Sequence, residues 1–266
     1  MGATMINALP QMFSLEGKCA LITGGSRGLG FQIAEAIGEA GATVFLTSRK
    51  AADLEEATAR LTARGIAAHW FAADAGDAAQ VPELVRTALD KLGTIDVLVN
   101  NAGATWGAPA EEYPLEAWDK VMGLNVRAPF LLTQTVGRQI MIPRRSGRII
   151  NVASVAGLGG NVPEMTTIAY NTSKAALINF TRALACEWGR FGITVNSLAP
   201  GFFPSKMSQG LLDKRGKGSV AGNAPLNRLG DEEDLKGAAL LFAARAGKHI
   251  TGQTLAVDGG VSCVIG

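Results

Sequence analysis

Short apolar runs alternate along the chain with longer segments whose apolar residues recur at helical spacing. A run such as Val44-Phe45-Leu46 is apolar without alternation, which is typical of a strand covered on both faces. After the first such run, Phe31, Ala34 and Ile37 fall on one helical face. The alternation predicts an α/β fold: a doubly wound parallel sheet flanked by helices on both faces. We expect strands near 18–23, 43–47, 67–73, 95–99, 147–153, 192–197 and 254–257, and helices near 28–39, 51–63, 78–91, 114–141, 169–189 and 231–244.

The alternation of predicted strands and helices is interrupted at residues 202–228. Two phenylalanines and a proline are followed there by a polar, glycine-rich stretch. Because the segment follows a strand at the edge where wound sheets bind ligands, we expect a lid over an active site, with a disordered surface loop as the alternative. No linker or internal repeat divides the rest. We therefore expect a single domain over residues 15–266, preceded by a loosely ordered leader at residues 1–14.

Composition and charge argue against several classes of protein. Apolar residues make up 47% and charged residues 18% of the chain, as in folded proteins. The net charge is only +2, and the densest basic cluster, residues 144–148, is expected to be a solvated turn, so we expect no nucleic-acid partner. Three widely spaced cysteines give no disulfide framework, which fits a reducing, cytoplasmic compartment. No apolar run is long enough to span a bilayer and no secretory signal is visible, so we expect no membrane association.

A glycine-rich turn separates the first predicted strand from the first predicted helix. The run Thr23–Gly30 contains four glycines, of which Gly24, Gly28 and Gly30 follow a Gly-x-x-x-Gly-x-Gly spacing. Glycines let a backbone approach phosphates closely, and the helix N-terminus that follows supplies free N–H groups and a partial positive charge. The sequence therefore predicts a dinucleotide site, with a turn of no function as the alternative.

Tyr170 and Lys174 are four residues apart and would project from one face of a helix. A free tyrosine has a pKa near 10 and exchanges protons poorly at neutral pH. A neighbouring ammonium stabilises the phenolate, so this pair predicts an acid–base catalyst. Taken alone, the spacing is equally compatible with a solvated helix face.

Further motifs follow the predicted strands in a recognisable order. Asn100-Asn101-Ala102-Gly103 follows one strand, Ser154 closes the next, and Pro200-Gly201 closes a third. With the glycine turn and the Tyr170–Lys174 pair, they resemble the short-chain dehydrogenase/reductase family from about residue 15 to residue 260. The resemblance implies a Rossmann-type fold, a nicotinamide cofactor and no metal. The only histidines, at positions 69 and 249, are expected to be structural or surface residues.

The resemblance also assigns catalytic roles. Tyr170 would be the general acid in reduction and the base in oxidation, and Ser154 would hold the substrate oxygen against it. Lys174 would lower the Tyr170 pKa and bind the nicotinamide ribose. Asn125 would position Lys174 through a water molecule and complete a proton relay.

One spacing departs from the family pattern. Ser154 and Tyr170 are sixteen residues apart, which is longer than usual in the family, and the extra residues fall within 159–167. The loop that joins the two catalytic residues, 155–168, is called the Ser–Tyr loop below. We expect it to border the substrate and not the cofactor, so it leaves the chemistry intact while weakening any substrate assignment by resemblance.

The residues after the second predicted strand bear on cofactor choice. NAD-selective relatives carry an acidic residue there, which binds the ribose 2′-hydroxyl, whereas this chain has Ser48 followed by Arg49. Arg49 offers a bidentate partner for a 2′-phosphate, and Arg27 matches a second basic position of NADPH-preferring members. NADP(H) is therefore the predicted cofactor. A merely solvated helix start at Arg49-Lys50 is the alternative.

The remaining cofactor contacts are expected by resemblance. Asp74, with Ala75 beside it, would bind the adenine amine, and the segment Asn101-Ala102-Gly103 would pass under the adenine ribose. Pro200, Gly201, Phe203 and Ser205 would hold the nicotinamide, with Ser205 standing where relatives commonly carry threonine. The full predicted cofactor set is Gly24, Ser26, Arg27, Gly28, Leu29, Gly30, Ser48, Arg49, Asp74, Ala75, Asn101, Ala102, Gly103, Tyr170, Lys174, Pro200, Gly201, Phe203 and Ser205.

Together these features predict an NADPH-dependent enzyme that reduces a ketone to a secondary alcohol. The nearest resemblance is to bacterial 3-oxoacyl-(acyl-carrier-protein) reductases, so the expected substrates are thioesters of acyl carrier protein or coenzyme A. Gluconate and other polyol dehydrogenases share the framework and stay open as alternatives. A non-catalytic NADP(H)-binding scaffold is disfavoured by the intact catalytic set. By resemblance we also expect a homotetramer, with surplus apolar surface on the helices near 114–141 and 169–189 and on the C-terminal stretch 261–265.

Overall fold

The computed structural model describes residues 8–264. Seven strands run in chain order with these bounds: β1 (Cys19–Thr23), β2 (Thr43–Ser48), β3 (Ala68–Ala72), β4 (Val97–Asn100), β5 (Gly147–Val152), β6 (Ile193–Pro200) and β7 (Thr254–Val257). The α-helices are α1 (Ala8–Phe13), α2 (Gly28–Glu39), α3 (Ala51–Ala63), α4 (Val81–Leu92), α5 (Leu115–Met122), α6 (Ala128–Val136), α7 (Ile142–Arg144), α8 (Ile168–Trp188), α9 (Gln209–Arg215), α10 (Lys217–Ala221) and α11 (Lys236–Ala243).

The strands form one parallel sheet in the order β3-β2-β1-β4-β5-β6-β7. Strand order reverses between β1 and β4, which lie side by side with Ile22 opposite Val99. At such a point the loops from the two strands turn to opposite faces, leaving a crevice outside the carboxyl ends of the strands. The glycine turn after β1 and the Asn-Asn-Ala-Gly motif at the end of β4 both open into this crevice.

Helices cover both faces of the sheet, as predicted. Alternate residues of β1 show the division: Ile22 packs into a cluster with α2, α3 and α11, while Leu21 packs into a second cluster with α4, α6 and α8. Both side chains are fully buried. Burial on both faces explains why β1 and β2 read as continuous apolar runs.

The seven predicted strands all exist, and their ends shift by no more than a few residues. The long predicted helix at 114–141 is a succession of α5, α6 and α7 with π-helical turns at Gly123–Arg127 and Gly137–Met141. The predicted helix at 231–244 is shorter, since α11 begins only at Lys236. Sequence periodicity did not reveal these π-turns, because each inserts only a single residue into an otherwise continuous helical pattern.

Two expectations about irregular segments differ from the structure. Within the predicted leader, Ala8–Phe13 forms helix α1, and Phe13 packs against the core beside the buried Leu15. Residues 1–7 lie outside the described residues. The predicted lid, residues 202–228, contains the two short helices α9 and α10 and is not a continuous loop.

Candidate active site

The glycine turn is fastened to the end of β4 by buried hydrogen bonds. The Thr23 hydroxyl accepts the backbone N–H groups of Asn101 and Ala102, each at 3.0 Å, and donates to the Val99 carbonyl at 3.3 Å. The Asn101 amide donates to the carbonyls of Thr23 (2.9 Å) and Gly24 (3.1 Å). Asn101 was expected under the adenine ribose, but its side chain is committed to the turn, so only its backbone could meet a ribose.

At two positions the turn requires a backbone conformation that favours glycine. Gly24 (φ +64°) and Gly28 (φ +55°) adopt the left-handed region, which other residues rarely enter. A Cβ at Gly24 would lie 2.8 Å from the Asn101 amide nitrogen, so this position is closed by packing. A Cβ at Gly28 would meet nothing within 4 Å, which leaves open space in front of the N-terminus of α2. This open cradle fits a pyrophosphate.

The predicted adenosine end of the crevice presents one orphaned polar atom and two arginines. The Ser48 hydroxyl oxygen is buried without a hydrogen-bond partner, as expected where a ribose hydroxyl or phosphate would complete its bonding. Arg27 donates to the Asp53 carboxylate at 3.0 Å. Arg49 is exposed and makes no hydrogen bond or ion pair to any residue between 8 and 264. The residues present therefore fit a phosphorylated dinucleotide.

The other predicted adenine contact is ordered by its own neighbours. The Asp74 carboxylate accepts the Gly76 N–H at 2.9 Å, and the Asp74 N–H donates to the Gln80 side chain at 2.9 Å. Ala75 lies in the same turn, half-exposed. The other carboxylate oxygen of Asp74 has no hydrogen-bond partner within residues 8–264 and could accept an amine.

Ser154 and Tyr170 meet at the carboxyl end of β5. Ser154 lies two residues beyond the end of β5, and its hydroxyl accepts the Ala156 N–H at 3.1 Å at the start of a 3₁₀ turn. Tyr170 lies in the first turn of α8 and shares a hydrogen bond with the Ser154 side chain. Burial raises the pKa of Tyr170 above its usual value, and the hydrogen bond with Ser154 partly opposes that rise. The phenol is therefore protonated at neutral pH.

Lys174 lies one helical turn beyond Tyr170 and is almost fully buried. Its ammonium donates to the Val152 carbonyl at 2.7 Å and lies 5.6 Å from the centre of the Tyr170 ring. Burial lowers the pKa of Lys174 from 10.5 to about 8. Burial penalises the charged forms of both groups, so the pKa of Tyr170 is raised in this structure, and the effect of Lys174 on that pKa stays a prediction.

Asn125 occupies the first π-turn, at full burial. Its carbonyl oxygen accepts the Ala104 N–H at 2.8 Å, and its amide donates to the Ala104 carbonyl and to the Ser173 hydroxyl, both at 2.9 Å. A Cβ at Gly103 would lie 3.3 Å from the Asn125 oxygen and 3.5 Å from the Lys174 nitrogen, so the Gly103 backbone passes beside both. The structure thus brings Asn125 and Lys174 to the same short segment after β4.

The segment after β6 is the predicted nicotinamide support. Pro200 ends β6, and the Gly201 N–H donates to the Val257 carbonyl at 3.0 Å. Phe203 was expected to contact the nicotinamide, but its ring is buried in the core against Gly230. The Ser205 hydroxyl lies 3.1 Å from that of Ser208 within a local turn. Of this set, the backbone at Pro200 and Gly201 is nearest in the fold to β5 and its catalytic serine.

Several residues that shape this site carry no recognised motif. Thr23 fastens the glycine turn, and Ser173 accepts a hydrogen bond from Asn125. Gln80 accepts the Asp74 N–H, and Asp53 pairs with Arg27. The position of Thr23 directly before the glycines was a usable signal. The other three are joined to their partners only by the fold.

A cavity of about 460 Å³ lies apart from the catalytic residues. It is bordered by the predicted lid, by the end of β7 and by the residues that follow β7. Over residues 8–264, no three His, Cys, Asp or Glu side chains cluster closely enough to hold a metal ion. Within the same range, no helix is both long enough and apolar enough to cross a membrane.

The chain matches known proteins along nearly its full length. Gluconate 5-dehydrogenase of Gluconobacter oxydans (strain 621H) is 38% identical, over 95% of this chain and 98% of that protein. The rhamnolipids biosynthesis 3-oxoacyl-(acyl-carrier-protein) reductase of Pseudomonas aeruginosa is also 38% identical, over 93% of this chain and 97% of its own length. A gluconate 5-dehydrogenase from Burkholderia cenocepacia J2315, solved in complex with NADP and tartrate, has a TM-score of 0.91 at 33% identity, covering 97% of this chain and 100% of that one.

The model of the family described as short chain dehydrogenase matches residues 18–216. That range holds the glycine turn, the four predicted catalytic residues and β1 to β6. The chain therefore belongs to the short chain dehydrogenase family and is an oxidoreductase of that family.

Proposed function

We propose that this protein uses NADPH to reduce a ketone to a secondary alcohol, and that its substrates carry an apolar chain, as 3-oxoacyl thioesters do. The cofactor is NADP(H), which is also bound in the structure of the gluconate 5-dehydrogenase from Burkholderia cenocepacia. In this chain the open cradle at Gly28, the orphaned Ser48 hydroxyl and the exposed Arg49 support the same cofactor. When bound, NADPH supplies the hydride.

The chain's own residues supply the proton and hold the substrate. Tyr170, protonated because burial raises its pKa, donates its phenolic proton to the oxygen that becomes the alcohol. Ser154, already hydrogen-bonded to Tyr170, holds that oxygen in reach. Lys174, with a pKa near 8 in the free chain, is mostly cationic at neutral pH and stabilises the phenolate that remains. Asn125 fixes the segment at Ala104, against which the Lys174 side chain is placed.

Exposed apolar side chains carry the substrate assignment. Trp106 after β4, Leu158 and Val162 after β5, and Met207 after β6 each expose 45–48% of their surface. These three strands are neighbours in the sheet, so the segments that follow them lie around the same edge as Ser154. Apolar groups gain free energy when a ligand covers them, at roughly 25 cal/mol per Å². An acyl chain would gain this energy, whereas a sugar acid would not.

A gluconate-type reaction is the second candidate, because one close relative is a gluconate 5-dehydrogenase. Three exposed lysines on the lid, Lys206, Lys214 and Lys217, could receive a carboxylate. They could equally receive the phosphates of coenzyme A or of an acyl-carrier prosthetic group. The lysines therefore do not separate the two candidates, whereas the exposed apolar side chains of Trp106, Leu158, Val162 and Met207 support the thioester.

A panel of ketones tests the proposal. NADPH oxidation is measured with acetoacetyl and 3-oxodecanoyl thioesters of coenzyme A, with 5-keto-D-gluconate and with a cyclic ketone. The proposal expects turnover of both thioesters and at most traces with the keto-acid sugar. Preferential turnover of 5-keto-D-gluconate would replace it with the second candidate, and NADPH binding without turnover of any ketone would favour a non-catalytic scaffold.

Assembly and compartment complete the proposal. We propose a homotetramer, in which Phe130 on α6, 45% exposed, and the exposed Val264 near the C-terminus are covered by other copies. Ile265, the end of the predicted apolar C-terminal stretch, lies outside the described residues. All three cysteines are free, which suits the cytoplasm as the compartment. Light scattering coupled to size-exclusion chromatography checks the assembly, since a mass near the 27.6 kDa of one chain would refute it.

A further inference from the structure

One side chain of the catalytic helix bonds to the Ser–Tyr loop at four points. The amide nitrogen of Asn171 donates to the carbonyls of Ala156 (2.9 Å) and Gly159 (3.3 Å). Its carbonyl oxygen accepts from the amide of Asn161 (2.9 Å) and the hydroxyl of Thr167 (3.0 Å). Both ends of the loop, as well as its middle, therefore converge on the residue that follows the catalytic tyrosine.

These four bonds use the whole capacity of an amide. A side-chain amide has two N–H donors and a carbonyl oxygen with two acceptor sites, and Asn171 fills all four with loop partners. An aspartate would have the same size and shape but no donors. Its second oxygen would face the carbonyls of Ala156 and Gly159, so the loop depends on an amide at this position.

Two other contacts fix the loop without any help from Asn171. A Cβ at Gly157 would lie 2.6 Å from the Lys174 carbonyl carbon, so the loop backbone lies directly against α8. On its far side, the Ala108 N–H donates to the Thr166 carbonyl at 2.9 Å, which joins the loop to the segment after β4. The loop is thus held between two parts of the catalytic framework, and Asn171 ties its interior to them.

We infer that Asn171 is a positioning residue, which holds the Ser–Tyr loop as a preformed wall of the substrate site. Held in this way, Leu158 and Val162 present their exposed apolar surface to the substrate before it binds. The substrate part of this inference rests on the proposed function. A preformed wall adds to affinity because its ordering cost is met in folding and not in binding.

If Asn171 has this role, losing its hydrogen bonds should weaken substrate binding and leave the chemical step unchanged. Tyr170 is held by α8, and Ser154 follows β5 and bonds to the loop only through the Ala156 N–H at its start. Loosening the loop should therefore raise KM for an apolar substrate while leaving kcat almost unchanged. A purely structural role would lower the amount of folded enzyme without changing KM, and a role in proton transfer would lower kcat.

Asn171→Asp is the test variant, and Asn179→Asp is its matched control. Asn179 is exposed on the same helix, so the control makes the same chemical change away from the loop. A carboxylate in the first turn of a helix is favoured by the helix dipole, so Asn171→Asp does not weaken α8 itself. Amide hydrogen exchange is measured over residues 155–167, together with NADPH affinity and the kinetics of 3-oxodecanoyl-coenzyme A reduction.

The inference expects faster exchange in the loop and a KM about tenfold higher in Asn171→Asp, as the loss of two hydrogen bonds implies. It also expects kcat within about threefold, unchanged NADPH affinity, and no change at all in Asn179→Asp. Unchanged exchange, or a fall in kcat at constant KM, would overturn it. If no ketone is turned over by the unmodified enzyme, the proposed function fails, and the exchange data still decide whether Asn171 holds the loop.

Thr167→Val is a second, uncharged variant. It removes a hydroxyl that donates to Asn171 at 3.0 Å and accepts from the Asn161 amide at 2.9 Å, while keeping the shape of the side chain. The expected rise in KM is smaller, about threefold, with a smaller increase in loop exchange. An increase in KM with Asn171→Asp but none with Thr167→Val would assign the effect to the new charge beside Tyr170 and so contradict the inference.

Discussion

The cofactor side of the site consists of the glycine turn after β1 and the segment Asn101-Ala102-Gly103 after β4. Side chains there bond across the sheet, whereas side chains on the lid, residues 202–228, bond to near neighbours in sequence. Thr23 and Asn101 are joined by two hydrogen bonds although they are 78 positions apart, and the Asn100 and Asn151 side chains bond at 2.8 Å in the buried core. On the lid, Ser205 bonds to Ser208 and Gln209 to Asp213.

The difference has a physical consequence. Long-range buried bonds can break only if strands separate, so the cofactor side opens with the whole domain. Bonds between residues three or four positions apart hold only their own segment together, and at its far end the lid is also joined to the residues after β7, where the Leu226 N–H donates to the Gly259 carbonyl at 3.0 Å. The Ser–Tyr loop, which we propose lies on the substrate side, is tied down like the cofactor side, through Asn171 and Gly157. Under the proposed function, selection among ketones is shared by this loop and by the segment 202–228.

The largest expected effect is at Tyr170, which we place between the cofactor side and the substrate side of the site. Tyr170→Phe removes the proton donor and keeps the ring, so turnover should fall by about 10²–10⁴-fold. NADPH affinity, which depends on the cofactor side, should stay the same. Ketone reduction and NADPH titration on the same preparation check both. A variant that keeps near-full activity would remove Tyr170 from the mechanism, and a loss of NADPH binding would show that the two sides are not separable.

The next effect concerns Lys174, whose burial in the charged form lowers the free energy of unfolding. Burial lowers the pKa of Lys174 to about 8, so between pH 8 and 10.5 the unfolded chain binds more protons than the folded chain. The free energy of unfolding should therefore rise with pH across this window by up to about 3 kcal/mol relative to Lys174→Met. Below pH 8 both states carry the charge and the difference is constant. Denaturant unfolding of both proteins at pH 7.0 to 10.5 measures it; parallel curves would contradict the assigned burial cost.

A change confined to the cofactor side should alter cofactor choice and leave ketone choice alone. Arg49→Asp replaces an attraction for the 2′-phosphate with a repulsion. Since hydrogen bonds to charged groups contribute about 1.5–3 kcal/mol, the preference for NADPH over NADH should fall at least about tenfold. Ratios of kcat/KM for the two cofactors check this, with the ranking of ketones as the internal control. A wild-type preference for NADH would refute the assignment of Arg49.

The smallest expected effect is at Asp53, whose carboxylate holds Arg27 in an exposed ion pair. The pair must share Arg27 with a 2′-phosphate, and the two negative groups repel each other. Asp53→Asn should therefore raise the NADPH preference, by about threefold, because exposed pairs contribute at most about 1 kcal/mol. Dissociation constants for NADPH and NADH measure it. A lower preference would mean that Asp53 orients Arg27 for the phosphate and does not compete with it.

The cofactor side was far more predictable from the sequence than the substrate side. Glycine spacing and continuous apolar strands are local patterns, and they located the turn after β1 and every strand of the sheet. The catalytic set came from a resemblance carried by short motifs such as Tyr170 to Lys174. By contrast, the Asp53–Arg27 pair and the four bonds of Asn171 join residues that only the fold brings together. Likewise, only the fold places the ring of Phe203 in the core against Gly230, so that a cofactor contact at this position would be through its backbone.

The direct test of the account is a chain-length series on the unmodified enzyme. A fixed apolar wall gains free energy from each added methylene, about 0.8 kcal/mol when it is fully buried. The account predicts that kcat/KM with NADPH rises from acetoacetyl- to 3-oxodecanoyl-coenzyme A by at least about tenfold, mainly through KM. A flat series, or a higher kcat/KM with 5-keto-D-gluconate than with any thioester, would contradict it.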